Sequence, residues 1–199
     1  MGRIRIGILG EDKTDCTALA VLLRRIASAS SKESIGITRY YGEGCSHLRR
    51  KAAAHLREAE REGCTGAVLL HDLDRNPANG ELNDEGALRR ELEAIDVPSG
   101  LPRLICIPVE ELEAWFWADP AVIREVGRGK GEAHPSPHSI KRPKEALIKL
   151  SIGSNRKPRY STNDNASLAE KLDLELCQKR CPSFRSLVEF THSLMAARS

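Results

Sequence analysis

Two aspartates separated by one residue, Asp72 and Asp74, close an apolar run in the stretch GAVLLHDLDRN. If the extended backbone persists through Leu73, both carboxylates face one side, with their Cα atoms roughly 7 Å apart. Charges that close repel, and one pKa rises. A hard divalent cation that prefers oxygen ligands, Mg²⁺ or Mn²⁺, would relieve the conflict. A lone pair of this kind is more often a solvated strand end running into a polar turn, here residues 75–80. Its meaning therefore depends on which other acids the fold brings beside it.

Two further groups of acids follow apolar segments. Glu11 comes after RIRIGIL, with Asp15 one helical turn later; Glu110 comes after RLICIPV, with Glu113 three residues on, at a spacing that shares a helix face. Each has a local reason to be where it is, because acids are favoured at helix N-termini by the dipole and Asp12 can serve as a cap.

Hydrophobic patterning supplies the elements that position these groups. Strands are expected at residues 3–9, 35–41, 66–72 and 103–109, with Pro108 ending the last pairing. Helices are expected after residue 13, from a Ser46 cap to about Glu62 with Gly63 as a stop, and over 84–95 behind an Asn83 cap. Two more follow, over 110–117 and from the Asp119-Pro120 start signal. This alternation argues for an α/β fold, a Rossmann-like parallel four-stranded sheet with flanking helices. Strand order 2-1-3-4 would gather all three acidic groups at one edge. Three clusters at three strand ends favour a cation site over separate local roles, with Glu11, Asp15, Asp72, Asp74, Glu110 and Glu113 as candidate ligands. Glu11, Asp72 and Asp74 are the catalytic candidates.

After about residue 125 the texture changes. Residues 127–131 are rich in glycine, residues 135–137 hold two prolines, and residues 143–150 read as a short helix. Ser167–Glu170 fits a capping box, and residues 181–195 form a closing helix. The expected organisation is an α/β core over residues 1–125 and a helical extension over 126–199 packed on it. Between Arg124 and Arg159 lie ten Lys or Arg against three acids. That excess suits a nucleic-acid backbone as well as it suits a solvated loop. Lys13, Lys141, Arg142 and Lys144 are the candidate phosphate contacts.

The chain has 199 residues and a net charge of +3, too modest by itself to indicate nucleic acid. No apolar run reaches membrane-span length, the N-terminus does not read as a signal peptide, and the six cysteines form no CxxC pair. The expectation is a cytoplasmic protein with reduced thiols and no membrane association. His134 and His138 lie in a proline-rich loop and make a weak metal pair. His71 reads as a strand residue, and Trp115 and Trp117 as packing against the extension.

The segments LGEDKTD, LLHDLDRN and IPVEELEAWFWAD together resemble a Toprim domain, the fold of topoisomerase and primase catalytic modules and of overcoming-lysogenization-defect nucleases. The resemblance implies a glutamate after the first strand, matched by Glu11, and a DxD after the third, matched by Asp72 and Asp74. The nuclease branch adds acids matched by Asp15 and by Glu110 or Glu113. Asp12 departs from the glycine usual after the first glutamate. The likeness extends to a bacterial Toprim-related family of unknown function, through Glu111-Leu112-Glu113-Ala114-Trp115, Pro143-Lys144, Tyr160-Ser161 and Cys181-Pro182-Ser183-Phe184. It implies an Mg²⁺- or Mn²⁺-dependent nuclease acting on DNA or RNA. The competing reading is a non-catalytic Toprim-fold partner of an ATPase. A haloacid-dehalogenase-like phosphatase fits poorly, because its DxD follows the first strand.

Overall fold

The computed structural model describes residues 3–30, 34–42, 44–96, 100–154 and 156–197; for Cys45, Ser46 and His47 only the backbone is described. Strands β1 (Arg5–Gly10), β2 (Gly36–Tyr41), β3 (Gly66–Leu70) and β4 (Arg103–Cys106) form one all-parallel sheet in the order β2-β1-β3-β4. Parallel neighbours need crossover connections, and helices α1 (Lys13–Ser30), α2 (Cys45–Arg61) and α3 (Glu85–Glu93) provide them. The result is the Rossmann-like α/β arrangement expected from the alternation.

Strand alternation sends side chains to two cores. Ile6, Ile8, Val68, Leu70 and Cys106 face α1 and the C-terminal part of the chain; Leu9, Ala67, Leu69, Ile105 and Ile107 face α2 and α3. The first core also takes Trp115, Phe116, Leu147, Leu168, Phe184 and Leu187, so the extension shares its hydrophobic interior with the sheet. Helix α4 (Pro120–Val126) leads into the extension, which consists of α5 (Pro143–Leu150), α6 (Asn165–Lys171), α7 (Leu174–Arg180) and α8 (Pro182–Ala196). Trp115 Nε1 donates to Ser183 Oγ at 3.0 Å and its ring meets Phe184 edge-on, centroids 5.2 Å apart. Trp117 Nε1 donates to the Pro143 carbonyl at 3.2 Å. Both tryptophans pack against the extension, as expected.

Several boundaries differ from the sequence reading, each for a local reason. The cap of α3 is Asp84 rather than Asn83, its carboxylate accepting from Ala87 N at 3.0 Å. Gly44 stands at the α2 N-cap position, and the side chain of Ser46 lies outside the described residues, as do residues 31–33 and 97–99 of two expected connections. The capping box sits at Ser161 and Asp164, ahead of Ser167, which is already inside α6. Helix α7, absent from the sequence reading, starts where Asp173 accepts from Leu176 N. Residues 110–117 do not form one helix: Glu110 has φ 61°, and only Leu112–Ala118 wind, as a 3-10 helix.

The interruption at Pro108 is narrower than expected. Leu69↔Ile105 and Leu70↔Cys106 are paired, and Leu73↔Val109 pairs again in the same register. Across the gap His71 N donates to Cys106 O at 3.1 Å, Leu73 N to Pro108 O at 2.9 Å and Glu110 N to Leu73 O at 3.1 Å. The missing rung falls where Pro108 has no N–H to give. Extended geometry therefore carries on past β3 through the two aspartates.

Phe184 is fully buried. Phe184→Ala is expected to lower unfolding free energy by about 3–5 kcal/mol in urea titrations. A chain ending at residue 125, which uncovers Trp115 and the buried face of α1, should show no cooperative melt by circular dichroism.

Candidate active site

Strand order reverses between β1 and β3, and in open α/β sheets the crevice at the carboxyl ends beside such a reversal is where ligands bind. Glu11 follows β1 there and Asp72 follows β3. Gly10 lets the chain turn tightly between β1 and α1: a Cβ on it would fall 2.5 Å from Cys16 Sγ. Asp12 then caps α1, accepting from Thr14 Oγ1 at 2.7 Å and Asp15 N at 3.0 Å. Its φ is not in the left-handed region, so the departure from glycine causes no strain. Asp15, one turn into α1, is half-buried.

The third contribution comes from the 3-10 helix. Glu113 is 3% exposed and is held by the extension: its Oε1 accepts from Asn165 Nδ2 at 3.0 Å and lies 3.3 Å from Tyr160 Oη, while Tyr160 Oη donates to Asn165 Oδ1 at 2.6 Å. Asn165 is fully buried and Tyr160 nearly so.

These carboxylates feel one another. Burial first, then Asp15, Glu11, Glu113 and Glu111, hold Asp72 well above the usual carboxylate range. Burial, then Asp12 and Glu113, push Asp15 up to about 8, with Lys144 opposing. Burial raises Glu113 too, against the stabilising bond from Asn165. Among the named acids stands one cation. Lys144 Nζ pairs with Glu111 Oε1 at 2.5 Å. Burial disfavours its charge, but Glu111, Glu113 and Asp72 outweigh that and drive its pKa up.

His71, 2% exposed, lies beneath Glu11 and Asp72. Arg49 Nε donates to His71 Nε2 at 3.2 Å, which leaves the ring proton on Nδ1. From there it faces the Asp72 carbonyl at 2.8 Å and Glu11 Oε1 at 3.3 Å. Arg49 is fixed in turn by Glu91 at 3.1 Å. Asp74 is exposed and shares with Asp72, Arg49 and His71 an open cleft of about 350 Å³.

The structure thus brings together Glu11, Asp15, Asp72 and Glu113, with Asp74 on the adjoining cleft. It sets Glu110 apart. With its positive φ, Glu110 turns its carboxylate to Arg75, at 2.6 Å from Nε, and to the Arg142 backbone N–H, at 2.6 Å. Glu111 likewise accepts from Lys144 N at 3.0 Å, so two successive acids hold the start of α5. Lys144 faces the acids, whereas Lys13, Lys141 and Arg142 are exposed. The sequence reading missed His71, Arg49, Glu111 and Asn165 as parts of the site; Tyr160 was noted only as part of the resemblance.

Among the described residues, no three or more His, Cys, Asp or Glu side chains are placed so that together they could hold a metal ion. The donor set still suits Mg²⁺ or Mn²⁺: hard carboxylate oxygens, partly buried, with more negative charge than Lys144 balances. Asp15, Asp72, Glu113 and Glu11 would have to close in on the ion to hold it. The thiols are no competitors, because burial, then Asp72, pushes Cys106 up to about 12, and burial does the same to Cys16.

An acid whose pKa is higher folded than unfolded costs stability as pH rises. The unfolded chain gives up the Asp15 proton near its ordinary 3.8, whereas the folded chain keeps it to about 8. In EDTA, Tm is expected to fall between pH 5 and pH 8, and Asp15→Asn to flatten that fall. Mg²⁺ should raise Tm most at pH 8. Thermal denaturation at the two pH values, with and without Mg²⁺, measures all three effects.

Comparison with curated proteins and with solved structures returns no match. A family pattern does match, over residues 10–190, from the glycine before Glu11 to the body of α8. That span takes in every residue of the acidic cluster and the extension that braces it, and the chain belongs to DUF4276, a domain family of unknown function.

Proposed function

We propose that this chain is an Mg²⁺- or Mn²⁺-dependent nuclease of the Toprim type, hydrolysing phosphodiester bonds in DNA or RNA in a cytoplasmic setting. The observation that carries the reading is the gathering of acids at the sheet's reversal point, where burial, then Asp15, Glu11 and Glu113, raise Asp72, and burial, then Asp12, Glu113 and Glu11, raise Asp15. A divalent cation there acts as a Lewis acid on a phosphoryl oxygen. The chain's own residues do the rest. Glu11, on the edge of the site, accepts the proton of the attacking water. Arg49 keeps His71 in the tautomer whose Nδ1–H meets the Asp72 carbonyl, with Glu11 Oε1 beside it at 3.3 Å. Tyr160 and Asn165 fix Glu113. Lys141, Arg142 and the other exposed basic residues of the extension neutralise backbone phosphates.

One observation favours a second reading. Lys144 already places a positive charge among the carboxylates. A lysine-neutralised cluster suits a module that keeps the fold to bind an ATPase partner and does not cut.

Cleavage assays on single- and double-stranded DNA and RNA in Mn²⁺ separate the two. Wild type is expected to cut. Asp72→Asn should lose at least about a hundredfold in rate while binding nucleic acid as before, the scale of losing a group that stabilises transition-state charge. Lys141→Ala with Arg142→Ala should shallow the salt dependence of binding by about one unit per lost phosphate contact. Binding without cutting by wild type, with every cation and with an ATPase partner present, would decide for the second reading.

A further inference from the structure

Just beyond β4, backbone groups of buried Ile107 and half-buried Val109 have no partner among the described residues. On the side facing β3, Cys106 O and Pro108 O accept from His71 N and Leu73 N, and Glu110 N donates to Leu73 O. Residues alternating with these turn their peptide groups the other way, off the edge of the sheet. The Ile105 carbonyl is satisfied there by Arg89 Nη1 at 3.2 Å. The Ile107 N–H, the Ile107 carbonyl and the Val109 N–H have no hydrogen-bond partner among the described residues, although Ile107 is 2% exposed. Buried main-chain groups are almost always paired, and leaving one unmade costs about what a lost hydrogen bond costs. These look onto a cavity of about 330 Å³ between α3 and α8, walled by Cys106, Trp115 and Pro182, with His138 and Ser186 at its rim.

We infer that this slot binds the base of a nucleotide, edge-on to the strand. A carbonyl and the amide two residues later lie side by side on a strand edge and present an acceptor beside a donor. The complement is a flat ring with an amino group next to a ring nitrogen, the edge that adenine and cytosine carry. The amino N–H donates to the Ile107 carbonyl, and the ring nitrogen accepts from the Val109 N–H. The volume is at the small end of the range for small-molecule sites, about 300–1,000 Å³, enough for one heterocycle. An added peptide strand would need successive rungs. Arg89 already occupies the Ile105 carbonyl and helices close both sides, so only the Ile107 carbonyl with the Val109 N–H, and the Ile107 N–H beside them, remain among the described residues. The slot includes none of the clustered carboxylates Glu11, Asp15, Asp72 or Glu113, so it stands or falls apart from the cation reading.

The test is titration of ¹⁵N-labelled protein, free of divalent cations, with adenosine and cytidine monophosphates. The Ile107 and Val109 amide resonances are expected to shift. A purine nucleotide lacking the amino group should bind roughly five- to tenfold more weakly, the loss of one neutral hydrogen bond. Val109→Pro, which removes a donor that has no partner in the free protein, should weaken binding similarly. Ser186→Trp, at an exposed position on α8, should block the slot and abolish the shifts while leaving the fold intact. Asp72→Asn should bind as wild type does, so loss of cleavage and loss of base binding are separable. Unmoved Ile107 and Val109 amides, equal affinity for the amine-free analogue, or undiminished binding to Ser186→Trp would overturn the proposal. Shifts produced by an extended tetrapeptide and not by nucleotides would overturn it in favour of strand addition.

Discussion

Mutual repulsion among carboxylates that the fold forces together is the constraint around which this molecule is arranged. Asp72 and Asp15 are brought close by the sheet and α1, and Glu113 is brought to them by the 3-10 helix. Buried like charges are costly unless they are neutralised or hydrogen-bonded. The extension answers that cost. Lys144 on α5 supplies charge, and Tyr160 with Asn165 supplies hydrogen bonds. The extension is therefore an electrical part of the site as well as one wall of a hydrophobic core.

Support is graded with depth. Glu113 is fixed by neutral partners in the interior, while Glu11 stands 3.3 Å from a histidine that an arginine at the surface holds in place. Carboxylates meant only to stabilise a fold would gain most from strong, direct cationic partners. Glu110 shows what that looks like: it takes Arg75 and a backbone N–H at 2.6 Å each and is spent on architecture. The contrast between Glu110 and its neighbours separates the acids that hold the protein together from those left with unbalanced charge.

The sequence made the α/β alternation, the strand order and the convergence of Glu11 with Asp72 legible, because apolar runs ending in acids encode them directly. It made Asp119 legible as a cap as well, since Asp-Pro is a local signal; the structure shows Asp119 Oδ1 accepting from Ala121 N at 2.7 Å. It offered Glu110 alongside Glu113 and did not separate them. Their spacing matches a helix face, but the chain takes a left-handed step at Glu110, and no neighbouring residue announces that step. Tyr160 and Asn165 could not be read as partners of Glu113. They lie 47 and 52 residues away, and only the packing of α6 against the 3-10 helix joins them. His71 looked like an ordinary strand residue because its role rests on Arg49, two elements earlier.

The grip of Glu110 and Glu111 on the start of α5 is made to main-chain N–H groups, those of Arg142 and Lys144. Those two contacts ask only that neither position be proline. Side chains on the preceding surface loop, about residues 128–141, are outside that grip. Sequence change in that loop can therefore remodel the surface beside the site without moving the acids.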